Sequence, residues 1–259
     1  MVFIATIPSE EELASFYSTY AYSEDKWISP ITIKRYHELL DSMEAYRDSG
    51  NILDVGCGAG YFLAVAKERG WNVYGTEYSP AAVSLCEKKG ITMSQGPLEA
   101  STFEGLSFDV ITSFEVLEHI HEAHTDLNLI QKKLRDGGLF YATTPNFNSL
   151  NRFQQKADYN VIGYPEHLSY YTRKTLKKLV RKHGLRVLRC TTSGYNFTRR
   201  AQGSDDKKEI KIGAANAPDE KVRERTENRT LWKVAKRIAN AVFSLSGTGS
   251  TLKIWAEKS

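Results

Sequence analysis

The sequence is poor in cysteine. Its 259 residues include three cysteines, Cys57, Cys86 and Cys190, which are far apart and form no C-x-x-C pair. An odd number of widely spaced cysteines argues against a disulfide framework and against a zinc knuckle. We therefore expect a protein of a reducing compartment, the cytoplasm.

Long hydrophobic runs are also absent. No stretch approaches the ~20 apolar residues that a membrane-spanning helix needs. The apolar residues 1–7 are too few for a signal peptide, lack a basic flank and run into the acidic residues 10–12. The net charge of +4 permits an anionic substrate or surface but does not require nucleic acid. These features predict a soluble protein.

The middle of the chain alternates between short β-branched or aromatic runs and segments whose apolar residues have helical spacing. Repeated β-α-β units predict an α/β, Rossmann-like fold with a mostly parallel sheet and helices on both faces. Predicted strands cover residues 51–56, 72–77, 91–96, 108–114, 139–145, 185–192 and 251–258. Predicted helices cover residues 10–22, 31–46, 61–69, 79–89, 123–135, 172–183 and 231–245.

The pattern divides the chain into three regions. Residues 1–50 form an N-terminal helical lid or cap, residues 51–198 and 248–259 form the core, and residues 199–247 form an insertion. The N-terminal aromatic residues could line a lid or simply pack in a core: Tyr17, Tyr20, Tyr22 and Trp27. The insertion contains a charged loop and an amphipathic helix, which could cap the sheet or make peripheral contact with a membrane.

A glycine-rich loop follows the first predicted core strand, in the sequence Asp54-Val55-Gly56-Cys57-Gly58-Ala59-Gly60. Glycines allow a tight turn and a close approach of the backbone to a ligand. The spacing is G-x-G-x-G rather than the G-x-G-x-x-G of dinucleotide sites, and Asp54 would repel a pyrophosphate. A ligand that carries an ammonium and a sulfonium would be attracted instead. Glu77 ends the next strand, where its carboxylate can accept hydrogen bonds from both hydroxyls of a ribose.

These residues resemble the first two motifs of the class I S-adenosylmethionine-dependent methyltransferases, ILDVGCGAGYFL and YGTEYSP in this chain. The resemblance implies a seven-stranded sheet of order 3-2-1-4-5-7-6 with the last strand antiparallel. It also implies a set of residues that contact S-adenosylmethionine, most of them near the carboxyl ends of the strands and one, Arg35, ahead of the first motif. The set comprises Arg35, Asp54, Gly56, Gly58, Gly60, Glu77, Tyr78, Gly96, Pro97, Leu98 and Phe114.

A second constellation follows the fourth strand of the core. Glu115, Glu118 and His119 would share one face if the chain were helical there, because they are spaced i, i+3 and i+4. Two carboxylates and an imidazole are suitable ligands for a divalent cation, and His167, after the fifth strand, could be a fourth.

This pattern resembles the E-x-x-E-H motif of the ubiquinone-pathway O-methyltransferases and of the small-RNA 2′-O-methyltransferases. The resemblance implies a divalent metal, Mg²⁺ or a similar ion, held by Glu115, Glu118, His119 and His167. The metal would chelate two neighbouring hydroxyls and lower the pKa of one. Alternatively, no metal is bound, and Glu118, His119 and His167 shape the pocket or supply a base.

The sequence therefore predicts an enzyme that methylates a hydroxyl of a vicinal diol, a catechol or a saccharide. Metal-independent N-, C- or O-methylation of a small molecule is the alternative. The basic residues 173–189 and 207–237 leave an RNA methyltransferase open, although no RNA-binding module is visible. A non-catalytic cofactor-binding protein is a further alternative. The acceptor and the oligomeric state stay open.

Overall fold

The computed structural model describes residues 2–4, 8–9, 12, 28–120, 123–156, 159, 161–195 and 230–259, with side chains from residue 237 onward in the last range. Apart from Glu12, the predicted helix 10–22 lies outside the described residues, as do the four N-terminal aromatic residues and the loop at 199–229. Within the described part, no helix is both long and apolar enough to cross a lipid bilayer.

A seven-stranded sheet forms the centre of the molecule. Its strands are β2 (Asn51–Val55), β3 (Asn72–Glu77), β4 (Thr92–Gln95), β5 (Phe108–Phe114), β6 (Leu134–Pro145), β8 (Leu185–Ser193) and β9 (Thr251–Lys258). Their order is β4-β3-β2-β5-β6-β9-β8. The first five strands are parallel, and β9 is antiparallel to both β6 and β8. The predicted strand order and the antiparallel last strand are confirmed.

A second, two-stranded sheet was not predicted. It pairs β1 (Val2–Phe3) with β7 (Ser169–Tyr170) in antiparallel orientation. Each strand has two residues, which is too few for a sequence pattern to emerge. The pairing fixes the N-terminal residues beside the segment that contains His167.

Six of the seven α-helices described lie close to their predicted positions, and the short helix at residues 150–155 was not predicted. The seven are α1 (Pro30–Met43), α2 (Tyr61–Glu68), α3 (Pro80–Lys88), α4 (Ala123–Lys133), α5 (Leu150–Gln155), α6 (Arg173–Lys182) and α7 (Thr230–Ser246). Helix α1 begins after Ser29, whose side chain accepts a hydrogen bond from the Ile31 amide, and Pro30 occupies its first turn. Both are residues that favour a helix start. The predicted helix 123–135 ends two residues early, because β6 begins at Leu134.

The core lies on both faces of the sheet. Ile52 and Leu53 are neighbours in β2 and both are fully buried, but they point to opposite faces. Ile52 packs with Leu40 of α1 and Phe62 of α2, whereas Leu53 packs with residues of α4 and α6. Burial of each such side chain stabilises the fold by roughly 1.5–3 kcal/mol. This two-sided core holds the carboxyl ends of β2, β3, β5 and β6 in one row.

Helix α7 lies against β8 through polar contacts. The Gly194 amide donates to Asn240 Oδ1, and Thr192 Oγ1 donates to the Phe243 carbonyl. Three residues of the predicted apolar face are instead exposed to solvent, Ile238 at 60%, Val242 at 55% and Leu245 at 85%. The helix thus contacts the edge of the sheet at β8, as a cap would, but these three apolar side chains do not supply the contact.

Candidate functional site

The glycine loop turns sharply between β2 and α2. Gly56, Gly58 and Gly60 all have positive φ, at 70°, 54° and 70°, a conformation that other residues rarely adopt. A Cβ built on Gly56 would lie 2.6 Å from Val116 Cγ2, and one on Gly60 would lie 2.6 Å from Cys86 Sγ. At these two positions glycine is therefore required by neighbouring protein atoms as well as by the backbone conformation.

The Glu77 carboxylate lies beside this loop at the end of β3. Its Oε2 accepts a hydrogen bond from the Gly58 amide at 2.9 Å, and its Oε1 accepts one from the Ser79 amide at 3.1 Å. An ionised carboxylate can accept about four hydrogen bonds. Glu77 is only partly buried, so acceptor capacity remains for a ligand.

Asp54 turns away from solvent. It is 2% exposed and accepts a hydrogen bond from Thr112 Oγ1 of β5 at 2.7 Å. Burial raises the pKa of Asp54 to about 7, and the Glu77 charge acts in the same direction, while the bond from Thr112 opposes them. This carboxyl group joins β2 to β5 directly beneath the loop.

Other predicted cofactor residues differ in exposure. Tyr78 is 63% exposed, and Pro97 and Arg35 are exposed. Leu98 is buried in the core on the α4 side of the sheet. Gly96 has a φ of 108°, and a Cβ built there would meet no atom within 4 Å. Their contact with a cofactor stays a prediction.

Phe114 ends β5 within a group of aromatic rings. Its ring centroid lies 5.0 Å from that of Phe62 and 5.6 Å from that of Tyr141, in edge-to-face arrangements. Tyr36 of α1 contacts Phe62 at 5.5 Å. Phe114 is partly exposed at the sheet edge, so these rings fix its position there.

The second constellation does not form the helical face considered from the sequence. Glu115 has a φ of 54°, and residues 115–120 form a bend and a turn rather than a helix. The i, i+3, i+4 argument is therefore wrong, because a left-handed residue ends the strand. Glu115 is exposed and is not part of the ligand cluster formed by the other three predicted residues.

Glu118, His119 and His167 do come together. One potential ligand atom from each lies within 4.8 Å of the other two. His119 Nδ1 lies 2.7 Å from the Glu166 carbonyl oxygen, and His167 Nδ1 lies 2.6 Å from the Val161 carbonyl oxygen. A carbonyl only accepts hydrogen bonds, so both Nδ1 atoms carry a proton, and Nε2 is the ring nitrogen that can offer a lone pair.

Two members of the cluster have pKa values shifted towards their neutral forms. Glu118 is 2% exposed, and burial raises its pKa well above the usual range, with Glu115 adding to the effect. Burial and the neighbouring His167 lower the pKa of His119 to about 4. His119 is therefore neutral at physiological pH, the form in which imidazole binds metals.

Sequence reasoning missed the groups that orient this cluster. Thr144 Oγ1 donates to Glu118 Oε2 at 2.8 Å, and the Glu118 carbonyl accepts from the Leu168 and Ser169 amides. Thr144 is a polar residue in a buried strand, which was a usable signal. Backbone partners have no sequence signature and could not have been found.

Comparison with known proteins finds methyltransferases among the similar sequences. A probable S-adenosylmethionine-dependent methyltransferase of Mycolicibacterium smegmatis is 30% identical over 115 residues, 43% of this chain and 45% of the relative. A ubiquinone biosynthesis O-methyltransferase of Paraburkholderia phymatum is 28% identical over 153 residues, 53% of this chain and 63% of the relative. The matches thus span about half the length of these curated relatives.

The fold has solved counterparts. The crystal structure of an S-adenosylmethionine-dependent methyltransferase from Archaeoglobus fulgidus aligns with a TM-score of 0.57 at 20% identity and covers 95% of this chain and 99% of that chain. At this identity the likeness concerns the fold alone. The family model described as a methyltransferase domain matches residues 30–189, more than half of the sequence. The chain therefore belongs to the methyltransferase domain family.

Proposed function

We propose that the protein transfers the methyl group of S-adenosylmethionine to a hydroxyl oxygen of a small molecule or saccharide that carries two neighbouring hydroxyls. The observation that carries the proposal is the cluster of Glu118, His119 and His167 beside the carboxyl ends of β5 and β6. Ligands of open α/β sheets bind at this edge. The relative from Paraburkholderia phymatum, named an O-methyltransferase, supports an oxygen acceptor.

The loop and Glu77 are suited to hold the methyl donor. S-adenosylmethionine carries a ribose with two hydroxyls. These can donate hydrogen bonds to the lone pairs of the Glu77 carboxylate that the two backbone amides leave unused. The Gly58 amide already orients that carboxylate through a bond of 2.9 Å. An oriented carboxylate binds a diol with less loss of conformational freedom.

A divalent cation fits the donor set of the cluster. Two imidazoles and one carboxylate suit a borderline ion such as Zn²⁺ or Mn²⁺ better than Mg²⁺, which prefers oxygen ligands. The backbone carbonyls of Glu166 and Val161 fix both imidazoles in the tautomer that leaves Nε2 available. When bound, the ion would supply Lewis acidity that lowers the pKa of an acceptor hydroxyl.

The reaction itself is a displacement at carbon. The acceptor oxygen attacks the methyl carbon in line with the carbon–sulfur bond, a carbon–oxygen bond forms, and the electron pair of the broken bond goes to sulfur. The hydroxyl proton passes to a water molecule of the solvent before or during the attack. The protein contributes alignment of the two reactants, and the rings around Phe114 fix that side chain at the end of β5.

Metal titration of the full chain tests the proposal. We expect calorimetry with MnCl₂ or ZnCl₂ to show one site, weakened at least about tenfold in His119→Ala and in His167→Ala. His124→Ala is the matched control, because His124 is an exposed histidine that contacts His183 instead of the cluster. With catechol as acceptor, methylation should require both hydroxyls, and phenol should not react.

Two results would contradict the proposal at different levels. Methylation of catechol that persists in EDTA and in the His119→Ala variant would show that transfer does not use a metal. Failure of the wild-type protein to bind S-adenosylmethionine or its demethylated product would overturn the proposed activity as a whole.

A further inference from the structure

Two thiols lie against each other beneath the glycine loop. Cys57 is the central residue of the loop and Cys86 belongs to α3, 29 residues later, and their Sγ atoms are 3.9 Å apart. Cys86 is fully buried, while Cys57 is partly exposed. Neither thiol has a role in the proposed methyl transfer.

The surroundings hold the two sulfurs in place. Cys86 Sγ donates a hydrogen bond to the Gly58 carbonyl at 3.3 Å. Cys57 Sγ packs over Gly75 of β3, since a Cβ built on Gly75 would lie 2.8 Å from it. The two thiols therefore lie where the loop, β3 and α3 meet.

Two neighbouring groups lower the pKa of the Cys86 thiol, while its burial acts in the opposite direction. A hydrogen bond from the Cys57 thiol lowers the pKa of Cys86, and the ammonium of Lys89 acts in the same direction. That ammonium is held near the loop because it donates to the Ala59 carbonyl and lies 4.2 Å from the centroid of the Tyr61 ring. Thiolates are the reactive form of cysteine.

We propose that Cys57 and Cys86 are an oxidation site, which hydrogen peroxide converts into a disulfide that lowers the affinity for S-adenosylmethionine. The proposal goes beyond the methyl transfer and rests on the assignment of residues 54–60 as the cofactor loop. It makes the cofactor site responsive to peroxide without involving the acceptor.

The chemistry needs one molecule of peroxide. A thiolate of the pair attacks one peroxide oxygen, a sulfur–oxygen bond forms, the oxygen–oxygen bond breaks, and the leaving hydroxide takes up a proton as water. The second sulfur then attacks the sulfenic sulfur. A sulfur–sulfur bond forms, the sulfur–oxygen bond breaks, and a second water leaves with the remaining proton. The two sulfurs together lose two electrons, which the peroxide gains.

Disulfide formation must displace the loop. A disulfide bond is about 2 Å long, so the sulfurs have to approach each other by roughly a further 2 Å. Cys86 is fixed in a packed helix, whereas Cys57 lies between Gly56 and Gly58. We therefore expect the loop to move and the hydrogen bond that now joins the Gly58 amide to Glu77 to lose its alignment.

The test uses the full chain before and after treatment with hydrogen peroxide. We expect mass spectrometry of non-reduced peptides to show a Cys57–Cys86 link, and calorimetry to show affinity for S-adenosylmethionine reduced at least about tenfold and restored by dithiothreitol. In Cys86→Ala and in Cys57→Ala, the treated and untreated samples should bind equally. Cys190→Ala is the control, because this buried cysteine lies in β8, and it should respond like wild type.

The alternatives are distinguishable. Oxidation of Cys57 to sulfinic acid without a link would overturn the proposal, as would a link that leaves the affinity unchanged. Use of two single variants guards against misfolding of one. Mass spectrometry detects the disulfide independently of cofactor binding. If the reduced protein does not bind S-adenosylmethionine, the proposed activity and the regulatory effect are both contradicted. The disulfide itself would still be established by its mass.

Discussion

The Gly58 amide donates a hydrogen bond to Glu77 Oε2 at 2.9 Å, and this contact joins the two cofactor motifs. The first motif supplies the donor and the second supplies the acceptor, 19 residues later. The Ser79 amide binds the other carboxylate oxygen at 3.1 Å. Glu77 is thus held by two backbone amides before any ligand arrives.

Substitution Glu77→Gln should weaken cofactor binding. A glutamine has one oxygen, so its amide group would face one of the two backbone amides, donor against donor. A hydrogen bond to a charged group contributes about 1.5–3 kcal/mol, and we expect the affinity for S-adenosylmethionine to fall by at least about tenfold. Calorimetry checks this, with the exposed Glu87→Gln in α3 as control. Equal affinity in both variants would contradict the role of Glu77.

The steric requirement at Gly56 predicts a loss of stability. Gly56→Ala places a Cβ 2.6 Å from Val116 Cγ2 at a φ of 70°. Gly105→Ala is a matched control, because Gly105 has a φ of 78° and open space around it. Both variants should lose about 1 kcal/mol to backbone strain, and Gly56→Ala should lose about 1–3 kcal/mol more in urea unfolding. Adding Val116→Ala should recover part of that difference if the collision is its cause.

The sheet was predictable from the sequence because its signals are local and repeated. Short strands with β-branched residues, helices with apolar spacing and glycines at helix ends indicated the seven strands of the large sheet and, among the described helices, all but α5. The order of the strands came from the resemblance to the class I methyltransferases. Glu77 was found from the local signals, since its position at the end of β3 follows from the strand pattern.

The site was predictable only in part, because its geometry depends on backbone conformations that no sequence pattern indicates. Glu115 was placed on a helix with Glu118 and His119, but its positive φ directs the chain into a turn. The tautomers of both histidines depend on carbonyls of residues 161 and 166, supplied by an irregular segment. The exposure of three apolar residues of α7 likewise depends on how the helix is placed against the rest of the fold. The spacing of apolar residues along the helix does not give that placement.

Asp54 should make the stability of the protein depend on pH. Its pKa is raised to about 7 in the fold, while an unfolded chain has an aspartate pKa of about 3.9. The stability that protonated Asp54 contributes is therefore fully present below pH 4 and is lost as the pH rises through 7. Asp54→Asn keeps an acceptor for Thr112 and removes this loss.

We therefore compare the free energies of unfolding of Asp54→Asn and of the wild-type protein. The difference in favour of the variant should increase by up to about 4 kcal/mol between about pH 4 and pH 7, and should then stay constant. Urea unfolding across this range measures the difference. Asp136→Asn is the control, because the Asp136 side chain is 87% exposed, and its difference from wild type should stay small. A difference for Asp54→Asn that does not vary with pH would contradict the raised pKa.

The bond from Thr144 Oγ1 to Glu118 Oε2 should matter for both stability and metal binding. Both residues are buried. Valine has nearly the same shape as threonine but no hydroxyl, so Thr144→Val leaves the Glu118 carboxyl group without its hydrogen-bond donor. We expect a loss of about 1–3 kcal/mol in urea unfolding. Affinity for Mn²⁺ or Zn²⁺ should fall about 10-fold to 100-fold, as is typical when a group that orients a metal ligand is removed.

Thr144→Ser separates the hydroxyl from the methyl group. Serine keeps the donor to Glu118 and removes one buried methyl, which costs about 1 kcal/mol without a direct effect on the carboxylate. The serine variant should therefore bind the metal like wild type, whereas the valine variant should not. If serine weakened metal binding as much as valine, packing of Thr144 rather than its hydrogen bond would orient Glu118.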